Sequence, residues 1–216
     1  MDCLGAGLPA MTGGVNHPLL LLPMCAASLY FGWLWLGDLR AARAGKPNPG
    51  ALPGATETTK AAVAIACAGA LALLAGETWG EVRLGLTAQQ SRVTWLFGGY
   101  TLVGAIIEEI IFRGYFTVER HGKVALWAGA AGASALFAAL HPFLWRWDDA
   151  GFALTPNAKG WFSTAAVLAT SLWLYTARFG AWNPTRSLLP CIAAHGAKNL
   201  GVFAIKYAQG FVGGGW

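Results

Sequence analysis

Apolar residues in this chain come in long runs rather than in the short alternations of a soluble fold. Six runs reach, or nearly reach, the length that carries an α-helix across about 30 Å of hydrocarbon. They are Pro18–Gly37, Ala61–Gly76, Val93–Phe112 or a little beyond, Val124–Trp145, Trp161–Ala177 and Leu188–Tyr207. The pattern predicts an all-α, polytopic membrane bundle of about six transmembrane helices. Asp38–Lys60, rich in Pro, Gly and Ala, reads as a polar connection with no fold of its own. Trp145–Gly160, with Arg146, Asp148, Asp149 and Lys159, reads as a polar loop that crosses the surface. The first sixteen residues lack a basic n-region, so the first run is expected to be a retained helix rather than a cleaved signal. No internal repeat is evident.

Composition agrees with a membrane bundle. The 216 residues are 56% hydrophobic and 12% charged, about half the charge of a globular domain. Eleven tryptophans suit the membrane–water interface. The net charge of +5 does not point to nucleic acid, because the basic residues are spread over short connections. With six spans and an outside N-terminus, the inner side holds Arg40, Arg43, Lys46, Lys60, Arg113, Arg120, Lys123, Arg178 and Arg186. The outer side holds Arg83, Arg92, Arg146, Lys159 and Lys206, so the bias has the sense expected for both termini outside. Cys3, Cys25, Cys67 and Cys191 are too far apart for a zinc knuckle or a disulfide framework. The small residues of Ala128–Ala135 predict a tight helix crossing and no chemistry.

A few polar side chains remain inside the runs. The third run ends in Glu108, Glu109 and Arg113, the fourth carries His141, and the sixth carries His195, Lys198 and Asn199. Each charge in a bilayer costs roughly 2.5 kcal/mol or more, so these groups must be paired, hydrated or functional. Adjacent glutamates point about 100° apart around a helix. Glu109 and Arg113 form an i,i+4 pair with the acid first, the favourable sense for a salt bridge. Glu108 then faces elsewhere, without a local cation, placed to take a proton from water and return it. His141 would hold that water. His195 and Asn199, stacked on one helix face, would donate to a developing oxyanion. Glu108, His141 and His195 equally make a His₂Glu set suited to catalytic zinc, with Asn199 behind it. Spacing leaves both readings open. His17 and His121 fall in connections and read as solvated.

Glu108-Glu109-x-x-x-Arg113, Phe137-x-x-x-His141 and His195-x-x-x-Asn199, in this order on three helices, resemble the CPBP intramembrane proteases. That family includes type II CAAX prenyl endopeptidases and bacterial Abi-type proteins linked to bacteriocin processing. Glu-Glu-Ile-Ile-Phe-Arg-Gly over 108–114 and the lead from Trp182 to Pro190 are similar to it as well, so the resemblance covers about Thr94 to Tyr207. It implies a catalytic cavity within the bilayer and hydrolysis of a peptide bond by a glutamate-activated water. Glu108 would be the base, assisted by His141. His195 and Asn199 would stabilise the oxyanion, and Glu109 and Arg113 would support them, with no required metal.

The expected organisation is a single membrane domain over 1–216, with accessory helices in 1–92 and a protease core in 93–208. The expected partners are the lipid bilayer and a membrane-anchored, lipidated or leader-peptide substrate, in a bacterial inner membrane. A proton-coupled transporter using the glutamates, or a non-catalytic immunity or scaffold protein, are the readings from other classes. One difficulty follows from the run limits, which place Glu108 near the inner end of its helix and His141 near the outer end of the next. For them to meet, either the first-motif helix must continue inside the protein through Gly114–Glu119, or Val124–Trp127 must lie at the interface.

Overall fold

The computed structural model describes residues 17–148 and 150–215; Cys3, with the rest of residues 1–16, and Asp149 lie outside them. Among the described residues there are six α-helices, as the apolar runs predict. They are α1 (Pro18–Arg43), α2 (Lys60–Arg83), α3 (Trp95–Glu109), α4 (Gly122–Leu140), α5 (Ala158–Phe179) and α6 (Leu189–Ala208). α3 passes directly into a π-helical turn, Ile110–Tyr115. α1, α2, α3 with its π turn, and α4 are each long and apolar enough to cross a membrane. α5 and α6 are of similar length but more polar, because their buried faces carry Ser163, Thr170, Ser171, Arg178, His195 and Lys198. Polar residues of that kind face a bundle interior rather than lipid.

Helix ends alternate between two sides. At one side, the one the charge bias assigns to the interior, the connection after α1 packs on the connection before α6. At the other, the tail after α6 meets the start of α3. There the N–H groups of Trp95 and Leu96, which have no partner inside their own helix, donate to the carbonyls of Gly214 and Gly215. Thr94 caps the same helix through Phe97 N–H.

Several boundaries differ from the sequence reading. α1 continues past Gly37 to Arg43, and α2 continues past Gly76 to Arg83. The connection between them, expected to lack a fold, is instead held on both flanks. Asp38 accepts from Leu52 N–H, Trp35 Nε1 donates to the Pro53 carbonyl, and Leu188 N–H donates to the Gly54 carbonyl. Apolar residues inside the connection drive this: Ala55 is buried with Trp35, Leu39, Leu188 and Cys191 in the main core. α4 stops at Leu140, before Pro142, not at Trp145. The loop that follows forms an antiparallel hairpin, β1 (Trp145–Asp148) with β2 (Gly151–Leu154), the one sheet among the described residues.

Packing is closest where side chains are smallest. α6 lies between α2 and α3, α1 covers α3, and α5 touches α2, α4 and α6. Gly98 of α3 sits so close to Phe203 of α6 that a β-carbon there would lie 2.2 Å from its ring. The main core also includes Ile110 and Ala194, neighbours in sequence of Glu109 and His195. The polar side chains of α3 and α6 therefore project from backbone fixed by the core.

Candidate active site

Glu109 occupies the centre of the site. It is fully buried and paired with fully buried Arg113, Oε1 to Nη1 at 3.1 Å, the i,i+4 bridge expected from the sequence. The same oxygen lies 2.7 Å from Nδ1 of His195 on α6. A carboxylate only accepts, so Nδ1 carries the hydrogen and Nε2 is the free ring atom. That Nε2 is 3.8 Å from Oε2 of Glu108, just beyond hydrogen-bond reach. Glu108 differs from its neighbour: its side chain is 30% exposed and it faces the His195 imidazole rather than a guanidinium.

Arg113 is fixed from three other directions. Nη2 donates to Ser171 Oγ of α5 at 2.7 Å, and Ser171 Oγ contacts Ser134 Oγ of α4 at 2.9 Å. Its guanidinium covers the rings of Phe137 at 4.7 Å and Tyr175 at 5.3 Å. Glu109 Oε2 and Arg113 Nε are buried with no hydrogen-bond partner among the described residues, which adds to the desolvation cost of the cluster.

The π turn presents Arg113 in this position. Its wider i→i+5 pattern, seen in Phe116 N–H donating to Ile111, leaves nearby carbonyls to be satisfied from outside. α5 supplies the donors. The Tyr175 hydroxyl lies 2.6 Å from the Phe112 carbonyl and 3.0 Å from that of Phe116, and Arg178 donates to the Gly114 carbonyl.

His141 joins the site at the C-terminal end of α4. Nδ1 donates to the Phe137 carbonyl at 2.8 Å, so Nε2 is free. Glu108, His195 and Arg113 all lie close enough to act on it electrostatically. Phe137 links the groups by ring contacts, 4.7 Å to His141 and 6.2 Å to His195.

This arrangement removes the difficulty of depth. Through Ser171, Ser134 of α4 is level with Arg113, so α4 starts about 18 Å farther toward the inner end, twelve residues at 1.5 Å each. After the π turn, Phe116–Glu119 leaves the helix and runs back along α4, Val118 meeting Gly129 closely. Phe116 makes a tight turn, Thr117 N–H donating to the Tyr115 carbonyl, and the non-helical residues that follow can advance farther than the roughly 1.5 Å each that a helix allows. The motif segment continues as a π turn largely buried through Gly114 and then as irregular chain whose Tyr115, Phe116 and Val118 are exposed.

Residues 90–201 match the model of the type II CAAX prenyl endopeptidase Rce1-like family. The chain belongs to this family. The resemblance to CPBP and CAAX proteases is thereby established: this is an intramembrane endopeptidase of CAAX type, an integral membrane protein whose substrate is a membrane-associated protein. No curated protein and no solved structure matches it.

Of the residues expected at the site of this CAAX-type peptidase, Glu108, Glu109, Arg113 and His195 form one contact cluster, with His141 beside it. Asn199 is one turn farther along α6, where its Nδ2 donates to the Thr101 carbonyl of α3 at 2.8 Å. Ser134, Ser171 and Tyr175 were not expected. Ser134 lies within the small-residue stripe read as packing alone, and of that stripe only Ala130, Ala133 and Ser134 are buried. His121 is exposed as expected; His17 is half-buried at the start of α1. Among the described residues, no group of three or more His, Cys, Asp or Glu side chains that could hold a metal ion is found.

Proposed function

We propose that this CAAX-type peptidase is a glutamic endopeptidase in which Glu108 activates the attacking water. The observation that carries this is the asymmetry of the adjacent glutamates. Glu109 is fully buried and bound by Arg113 and His195, whereas Glu108 is partly open and faces the free nitrogen of His195.

In this reading His141 Nε2 and Glu108 hold a water between them. Glu108 takes one proton as the water oxygen bonds to the scissile carbonyl carbon. The carbonyl oxygen gains the negative charge. His195, when protonated on both nitrogens, donates to it from Nε2, with Glu109 behind Nδ1 to balance the imidazolium. Asn199 adds the second N–H of its amide, the first being engaged by Thr101. Collapse breaks the C–N bond, and Glu108 passes its proton to the leaving nitrogen. Water is split between the two products, and the residues return to their starting state.

The substrate class is a lipidated tail, a leader peptide or a C-terminal membrane anchor, processed in a bacterial inner membrane. Glu108→Gln preserves shape and removes the base. Purified wild type and Glu108→Gln, tested on a panel of such substrates in nanodiscs, should differ by loss of all cleavage. Cleavage by the variant at the wild-type rate would assign the water to another group.

A further inference from the structure

The end of the bundle that the charge bias places outside carries two adjoining hollows. The first is a polar cavity of about 410 Å³ between α2, α5 and α6, whose wall includes Glu77, Glu81, Ser91, Lys159 and Lys206. The second is an apolar groove of about 500 Å³ that follows α2 from Val82 to Leu71 and is closed on one side by Ile205 of α6. Leu74, Thr78 and Ile205 line both, so the two meet along those side chains. Neither is lined by Glu108, Glu109, Arg113, His141 or His195.

Aromatic side chains give the depth. Trp79 of α2, Trp95 of α3, Trp161 of α5 and Tyr207 of α6 all lie near this end of their helices and are exposed. In a membrane bundle such rings favour the headgroup level. The polar cavity is therefore at headgroup depth. The groove leads from it toward the middle of α2, where Leu71 is two helical turns, about 10 Å, beyond Thr78.

The charges of the cavity do not balance. Glu81 is paired with Lys159 and also accepts from Gln90 Nε2, and Glu77 is paired with Lys198 at 2.7 Å. Lys206 is different. Among the described residues the oxygens it reaches are neutral: Gln90 Oε1 at 2.8 Å, the Ser91 carbonyl at 2.8 Å and Ser91 Oγ at 3.3 Å. Three lysines against two glutamates leave one positive charge, on a half-buried residue whose neutral partners an anion can replace. A second cation stands at the rim of the groove, where the Arg83 guanidinium lies 5.5 Å from the centre of the Trp79 ring.

We propose that cavity and groove together bind one anionic glycerophospholipid of the surrounding leaflet, its phosphodiester on Lys206 and one acyl chain along α2. Basic pockets between membrane helices hold anionic headgroups in this way. The phosphodiester takes the place of Gln90 Oε1 at Lys206, and the Ser91 hydroxyl donates to it. Glu77 and Glu81 keep their own lysines, so the excess charge remains for the lipid. The groove is what favours a lipid over a soluble phosphate, which has nothing to place there. Bound so, the lipid joins α2 to α6, the helix that carries His195 and Asn199.

The test is lipid binding to the purified full chain, read by native mass spectrometry during titration in detergent. The probes are dioleoyl phosphatidylglycerol, dioleoyl phosphatidylcholine, whose headgroup carries its own cation, and glycerol 3-phosphate, which has the anion and no acyl chain. One phosphatidylglycerol should bind at least about tenfold more tightly than phosphatidylcholine, the scale of a charge-assisted bond. Glycerol 3-phosphate at equal concentration should not displace it. Lys206→Met should remove the preference and Lys206→Arg keep it. Ala75→Trp, which fills the groove from an exposed position, should weaken phosphatidylglycerol binding while melting like the wild type in phosphatidylcholine. Lys123→Met, exposed at the start of α4, should change nothing. Equal binding of the two phospholipids by the wild type overturns the site, and so does an equal loss in Lys123→Met and Lys206→Met, which marks general attraction of a basic surface. Full displacement by glycerol 3-phosphate, or unchanged binding in Ala75→Trp, overturns the lipid as the occupant. Cleavage is not a readout, so the site stands or falls separately from the glutamic peptidase reading.

Discussion

Glu109 Oε1 and His195 Nδ1 meet at 2.7 Å across the α3–α6 interface, on the oxygen that also accepts from Arg113. This shared oxygen separates two glutamates that are adjacent in sequence. Removing the charge of Glu109 leaves a fully buried guanidinium without its partner, a loss of about 3–5 kcal/mol for a buried pair. Removing that of Glu108, whose side chain is partly open, leaves no such orphan. Glu109→Gln is therefore expected to unfold at clearly lower temperature in detergent. Glu108→Gln should keep its unfolding temperature within a few degrees and lose cleavage. Equal thermal stability of the two variants would show that the bridge does not hold the site together.

Arg113 depends in turn on α5. Ser171→Ala removes a hydrogen bond to a charged donor, worth about 1.5–3 kcal/mol, whereas Ser134→Ala removes a neutral one, worth about 1 kcal/mol. Stability should fall in that order, measured by chemical unfolding in mixed micelles. The cleavage rate of Ser171→Ala should fall with little change in KM, because the serine acts on the position of Glu109 and His195 rather than on substrate. A larger effect from Ser134→Ala would mean that the α4–α5 contact, not the arginine, is what the serines support.

The six helices and the pairing of Glu109 with Arg113 were legible because both follow from short-range rules. Apolar runs of membrane length mark helices, and i,i+4 spacing marks the pair. The relation of His195 to the two glutamates was only partly legible. Its presence on another helix was clear, but which glutamate it touches depends on how α3 rotates about its axis. The depth of His141 was not legible because run length assumes about 1.5 Å per residue throughout, and Phe116–Glu119 is not helical. Ser134 and Ser171 are silent in sequence, since a serine in an apolar helix commonly bonds to its own backbone. Asp38–Lys60 was read as unstructured from its Pro and Gly content, yet Leu52 and Ala55 pack against the core.

Asn199 spends one N–H on the Thr101 carbonyl, which fixes the amide plane and leaves the other for an oxyanion. Loss of one such donor typically costs about 10²–10³ in kcat. Asn199→Ala is expected to show a fall of that size with KM nearly unchanged, in steady-state cleavage of a membrane-anchored reporter. Asn199→Asp, similar in shape but without N–H donors, should fall as far. If Asn199→Asp retained wild-type kcat, the residue would serve α3–α6 packing alone.

Metal removal tests the identity of the base most directly. His141 Nδ1 is engaged by the Phe137 carbonyl and His195 Nδ1 by Glu109, so each imidazole has only Nε2 to offer. The free nitrogen of His195 lies 3.8 Å from Glu108 Oε2, and His141 is close enough for the Glu108 carboxylate to act on it electrostatically. Prolonged treatment with phenanthroline or EDTA, followed by passage through a desalting column, should leave the cleavage rate unchanged, and elemental analysis should find zinc well below one per chain. Stoichiometric zinc whose removal stops cleavage, and whose return restores it, would transfer water activation from Glu108 to a metal.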